Sequence, residues 1–140
     1  MRFWDSSALV SILVGEARQK RLLALIEQDP KIAVWWGTPV EICSAISRQE
    51  RAGHMTASKA SDALVALEAL TEGWQEVLPT SQVRKTAKRL VRVHPLRAAD
   101  ALQLAAALTA LDGSSASGAL VCLDDRLTDA ARREGLQVLP

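Results

Sequence analysis

The sequence predicts an α/β domain built on a parallel sheet. Short apolar runs alternate with longer stretches of helical periodicity along the whole chain. The run ALVCL, residues 119–123, is apolar without a break, as a strand covered on both faces must be. Glycine or proline punctuates most boundaries between these runs.

Residues 2–4 form a short strand ending at Asp5. SSALVSILVG is helical as far as Gly15, and EARQKRLLALIEQ is a second helical run, ended by Asp29-Pro30. KIAVWW, rich in β-branched and aromatic residues and bounded by Pro30 and Gly37, is the second strand. Thr38-Pro39-Val40-Glu41 opens a helix with Thr38 as N-cap, Pro39 at the first helical position and Glu41 three residues after the cap. That helix runs to about Arg51 and stops at Gly53. Thr56 caps another through Leu70, with Gly73 beyond it. WQEVLP is a third strand ended by Pro79. Thr80 or Ser81 caps a helix to about Val93, broken at His94-Pro95. Residues 97–111 are a central, alanine-rich helix. GSSASG, residues 113–118, is a loop, ALVCL the fourth strand, Asp125 to Glu134 a helix stopped by Gly135, and LQVL a last strand.

At 140 residues the chain makes one domain, able to bury roughly two thirds of its unfolded surface. Hydrophobic residues are 49% and charged residues 24%, the balance of a soluble globular protein, while the 4% aromatic content makes the core aliphatic. A net charge of +1 gives no global attraction to nucleic acid, so any such attraction must come from local clusters. Cys43 and Cys122 stand alone, without a CxxC pair or a histidine at zinc spacing, which points to a reduced, cytoplasmic setting. No apolar run reaches the ~18 residues of a membrane span, and Asp5 interrupts any signal-like start.

Asp100 stands in the first turn of the apolar helix RAADALQLAAAL, where a carboxylate is costly to bury without a partner. Asp5 and Asp124 end the first and fourth strands, and Glu41 lies in the first turn after the second. Parallel sheets bind ligands at the carboxyl ends of their strands, where the strand order reverses. Taken singly, each acid also serves as a helix cap, contributing about 0.3–1 kcal/mol. Gathered together, four carboxylates repel unless a cation lies among them. Oxygen ligands with no cysteine or histidine suit Mg²⁺ or Mn²⁺. Asp125 competes with Asp124 for the fourth position; it continues into the following helix, and Asp124 is preferred.

With DSSALV, PVEICSAI, RAADALQLAAAL and LVCLDDRLTDAARREG in this order, the sequence resembles a PIN-domain ribonuclease, most closely the VapC-type toxins of toxin–antitoxin pairs. The resemblance spans essentially the whole chain. It implies a three-layer sandwich with a central sheet of order 3-2-1-4-5 and helices on both faces. It implies Asp5, Glu41, Asp100 and Asp124 as catalytic, metal-holding residues, with Ser7 in a supporting position. It also implies RNA as substrate, an antitoxin covering the acidic groove, and a homodimer, for which the small apolar helical surface from Ala57 to Leu70 offers one packing face. Cys122 departs from the pattern, standing where a threonine or serine is usual.

The expected chemistry is hydrolysis of RNA: a bound metal acidifies a water for in-line attack and stabilises the leaving oxygen. Arg84, Lys85, Lys88, Arg89 and Arg92 fall within an arc of roughly 140° on one helix, opposite Val83, Ala87, Leu90 and Val91. That face reads either as an ordinary solvated surface or as a track for RNA phosphates. Of Trp35 and Trp36, adjacent in a strand, one at most need be exposed to stack on a base. His54, His94 and both cysteines read as structural. Two other classes remain open: a non-catalytic binding domain keeping the acids as caps, and a phosphohydrolase or receiver-like α/β domain. The latter is disfavoured because no DxDxT follows the first strand and no lysine lies in ALVCLDD.

Overall fold

In the computed structural model, which describes residues 1–112 and 118–140, five short strands pair only in parallel, in the order β3-β2-β1-β4-β5. They are β1 (Arg2–Trp4), β2 (Ile32–Trp35), β3 (Gln75–Val77), β4 (Ala119–Val121) and β5 (Gln137–Leu139). The helices are α1 (Ser6–Val14), α2 (Gln19–Gln28), α3 (Thr38–Arg51), α4 (Ala57–Thr71), α5 (Ser81–Val93), α6 (Ala98–Leu111) and α7 (Asp125–Arg133). The predicted loop GSSASG lies, but for Gly118, outside the described residues.

Strand alternation divides the core into two layers, one on each face of the sheet. Phe3, Ala33, Trp35 and Leu120 pack with α5, α6 and α7. Trp4, Ile32, Val34 and Val121 pack with α1 to α4. The three-layer α/β/α sandwich is the predicted one. β1 pairs with both β2 and β4, so the order reverses there, and the chain leaves the β1 and β4 strand ends beside one another. The amide of Asp5 still donates to the carbonyl of Val121 at 3.0 Å.

Most helix limits fall where the punctuation puts them. Gly15 closes α1 in the left-handed conformation, φ 73°, with the Glu16 N–H reaching back to the Ser11 carbonyl at 3.0 Å. Thr56 and Thr80 cap α4 and α5 through their hydroxyls. Three local expectations give way. α2 begins at Gln19 rather than Glu16, because residues 16–18 form a turn closing off α1. β4 stops at Val121, so Asp124 is the N-cap of α7 instead of the last residue of a strand.

The third concerns the capping box at Thr38, which does not form. α3 already includes Thr38, its N-cap is Gly37, and no side chain caps it. Thr38 is fully buried and its hydroxyl accepts from Gln103 on α6 instead. Glycine is required at 37, since a Cβ there would come within 2.6 Å of Trp35 Nε1. Glu41 is thereby released from any capping duty.

α5 and α7 are joined by an ionic staple. Both oxygens of Glu134 accept from Arg89, at 3.0 and 2.6 Å, and Oε1 lies 2.7 Å from His94 Nε2. This holds the Glu134 carboxyl down at about 2, against an ordinary 4.5, chiefly through the Arg89 hydrogen bonds. A depressed carboxyl stabilises the fold above its unfolded value and loses that contribution as pH falls towards 2. Arg89 is half exposed, so solvent screening limits the pair. Glu134→Gln should destabilise the chain by about 1–2 kcal/mol at neutral pH. In thermal melts the gap from wild type should close on acidification from 4.5 towards 2. Equal melting temperatures at pH 7 would show that the staple contributes nothing.

Candidate active site

The C-terminal edge of the sheet carries a cleft of about 670 Å³ lined by Asp5, Glu41, Asp100 and Asp124. Four segments deliver them: the β1–α1 junction, the first turn of α3, the first turn of α6, and the start of α7. Of the adjacent pair, Asp124 lines the cleft and Asp125 is exposed outside it. None of the four carboxylates forms an ion pair among the described residues.

Asp5 is the most deeply set, 3% exposed. Its Oδ2 accepts from the Ser7 N–H at 2.9 Å, capping α1, and from Ser7 Oγ at 2.5 Å. Ser7 Oγ in turn accepts from the Leu123 N–H at 3.0 Å, tying the β4–α7 connection to Asp5. The predicted supporting position of Ser7 is thus a bridge between two of the acidic segments. Burial pushes the Asp5 carboxyl up, the Ser7 bonds oppose it, and the nearby charges of Asp124 and Asp100 push the same way as burial.

Glu41 is held on one oxygen. Ser6 Oγ donates to Oε2 at 2.8 Å and Gln103 Nε2 donates to it at 3.0 Å. Burial raises this carboxyl too; the two donors lower it, and the charges of Asp5 and Asp100 raise it further. Asp100 Oδ2 accepts from the Arg97 N–H at 3.2 Å, and Asp124 Oδ1 accepts from the Leu127 N–H at 2.8 Å. Both acids therefore cap a helix and line the cleft at once.

The donor set fits a hard divalent cation: carboxylate oxygens, with no imidazole in the lining. At Asp5 and Glu41, burial and the neighbouring carboxylates disfavour the charged form that a cation would favour. The acids are not drawn into a closed cage. Among the described residues no three His, Cys, Asp or Glu side chains stand together closely enough to hold a metal ion. Caps tether Asp5, Asp100 and Asp124 to separate helix ends, Ser6 and Gln103 hold Glu41, and like charges have no reason to approach further.

Cys122 lies under the site, its Sγ 3.7 Å from Asp5 Oδ2 and 3.3 Å from the Asp124 N–H. Burial, then the charge of Asp5, pushes the thiol up to about 12, so it stays protonated and is no nucleophile. Trp35 is core, at 6% exposed, and Trp36 is exposed at 53%, but neither lines the cleft. The five basic residues of α5 line a second hollow of about 440 Å³ that shares no residue with the acidic one. Arg89 is engaged by Glu134, which leaves Arg84, Lys85, Lys88 and Arg92 as the free basic face. Val91, expected on the buried side, is 42% exposed. Sequence reasoning missed Ser6 and Gln103. The signal for Gln103 was available: a lone amide in an apolar helix, three residues after Asp100 and so on the same face.

The fold and cleft together are a doubly wound parallel sheet of order β3-β2-β1-β4-β5 with four acids lining a cleft at its carboxyl edge. The model of the PIN domain family matches residues 2–133, and the chain belongs to that family. Among its relatives are two Mycobacterium tuberculosis proteins, Ribonuclease VapC45 and Ribonuclease VapC49. Each is 31% identical over 140 residues, covering 99% of this chain and 94% of the relative. Two solved structures share the fold with a TM-score of 0.67, covering 99% of this chain and 96% of theirs. They are VapBC2 from Rickettsia felis bound to a DNA fragment from its promoter, at 12% identity, and VapBC-1 from nontypeable Haemophilus influenzae, at 14%.

Proposed function

We propose that this chain is an endoribonuclease dependent on Mg²⁺ or Mn²⁺, and the toxin of a toxin–antitoxin pair. The observation that carries the reading is the meeting of Asp5, Glu41, Asp100 and Asp124, from four separate segments, in one cleft with no ion pair among the described residues. A protein that needed these acids only as caps would have no reason to turn all four towards one space, where they repel. The names of the mycobacterial relatives support ribonuclease activity.

Asp5, Glu41, Asp100 and Asp124 would hold the cation. When bound, it supplies an acidified water and charge stabilisation for the phosphate. The protein's own contribution is placement. Ser7 fixes Asp5 against the β4–α7 connection, and Ser6 and Gln103 fix Glu41. The free basic face, Arg84, Lys85, Lys88 and Arg92, would take the phosphate backbone of RNA outside the cleft. That both structural neighbours are VapBC proteins supports an antitoxin partner, which would cover the acidic cleft. A second copy of the chain would pack on α4, where Val65 is 69% exposed.

The test compares wild type with Asp100→Asn on total cellular RNA, with Mg²⁺, with Mn²⁺ and with chelator. Discrete cleavage sites that need the cation and vanish in the variant are expected; equal cleavage by the variant would sink the assignment. No cleavage and no metal binding by calorimetry would favour a non-catalytic binding domain instead. In the same assay Arg84→Glu with Lys88→Glu should flatten the salt dependence of RNA binding by a slope of about 2. An unchanged slope would remove α5 from the RNA path.

A further inference from the structure

Gln103 is a polar side chain in an apolar stretch of α6, and it is 1% exposed. Its Nε2 donates to Thr38 Oγ1 at 3.1 Å and to Glu41 Oε2 at 3.0 Å. The direction of the amide is dictated by chemistry. An ionised carboxylate only accepts, so the nitrogen must face Glu41, and its two protons serve the two partners. The amide oxygen is then left buried with no partner among the described residues. An orphaned buried acceptor is unfavourable, so the side chain is oriented by the two bonds of its nitrogen, to Thr38 and to Glu41.

We propose that Gln103 is a positioning residue for the acidic cleft. It holds Oε2 of Glu41 from behind, together with Ser6, and so leaves Oε1 as the oxygen free to serve a cation. It also links α6, which carries Asp100, to α3, which carries Glu41, and thereby fixes the spacing of two acids that would otherwise repel. The buried Thr38 hydroxyl is the second anchor of this brace. The inference rests on the reading of the cleft as a cation-dependent nuclease site.

The experiment uses the full chain as wild type, Gln103→Met, Gln103→Asn and Thr38→Val. Mn²⁺ affinity is read by calorimetry, kcat and KM on an RNA substrate, and Tm in chelator. Gln103→Met should weaken Mn²⁺ binding and lower kcat by about 10–100-fold, leaving KM for RNA within roughly twofold. Its Tm in chelator should fall, because the fully buried Thr38 hydroxyl loses its donor, so kcat is compared per folded molecule. Gln103→Asn, one methylene shorter, cannot span both anchors and should fall in the same direction. Thr38→Val keeps the bond to Glu41 and should lose less than either. Wild-type Mn²⁺ affinity and kcat in Gln103→Met would overturn the proposal. So would a lowered Tm with unchanged kcat per folded molecule, the mark of a merely structural residue. If the Met variant does not fold, the Asn variant decides by the same readouts, and failure of both to fold also overturns it. A wild type that neither binds Mn²⁺ nor cleaves RNA overturns the nuclease reading itself; an active wild type with unaffected Gln103 variants overturns only the positioning role.

Discussion

Asp5→Asn should lower RNA cleavage by at least about 100-fold while leaving the metal-free chain as stable as wild type or more so. The activity loss follows from position. Residues one bond removed from a metal typically cost 10–100-fold when changed, and a carboxylate in the cleft itself should cost at least the upper end of that. The stability effect follows from charge. Burial raises the Asp5 carboxyl above its ordinary 3.8, so the folded chain holds the proton more tightly than the unfolded chain does. The contribution of a raised carboxyl is complete below the unfolded value and is lost as pH rises through the folded one. When ionised, the wild-type carboxylate is a buried charge that asparagine lacks. The amide oxygen of asparagine can still accept from the Ser7 N–H and hydroxyl, so the cap of α1 survives. Melts in chelator at pH 7 should show a Tm equal to or above wild type. Added Mn²⁺ should then raise the wild-type Tm, by about 2.7 kcal/mol of stability at a hundredfold excess over Kd, and leave the variant unmoved. A variant with lower Tm and full activity would mean that Asp5 is a cap and nothing more.

The strand order came from the family resemblance, and the positions of three of the four acids were legible from local patterns. Asp5, Glu41 and Asp124 sit at the start of helices that follow strands, where chain polarity sends them to the carboxyl edge of a parallel sheet. Asp100 needed a tertiary step, and the packing of α6 across β1 and β2 supplies it. What the sequence concealed lies in contacts between distant positions. Thr38-x-x-Glu41 has the composition of a capping box, and nothing nearby in sequence warns that Thr38 will be buried against Gln103, 65 residues away. The tertiary partner overrides the local one because a buried hydroxyl must be satisfied where it lies. The same holds for Arg89, which reads as one of five equivalent cations until Glu134, 45 residues on, claims it. The basic periodicity of α5 was right as a pattern and could not say which member was already paired.

The adjacent pair Asp124-Asp125 gives the sharpest separation of capping from catalysis. Asp124 does two things at once: Oδ1 caps α7 through the Leu127 N–H, and its charge is felt by Asp5 across the cleft. Asp125 is exposed and does neither. Asparagine is as good an N-cap as aspartate, so Asp124→Asn keeps the capping bond and removes only the charge. Asp124→Asn should therefore keep the melting temperature of wild type, measured in chelator, and lose at least about 100-fold in cleavage. Asp125→Asn should be unchanged in both. Asp124→Ala should lose cleavage and, with the cap gone, about 1 kcal/mol of stability as well. Reversal of the pair, with Asp125→Asn inactive and Asp124→Asn active, would place the fourth acid one residue later. Full activity in both asparagine variants would mean that three carboxylates are enough, and that the acid at the start of α7 is there for the helix alone.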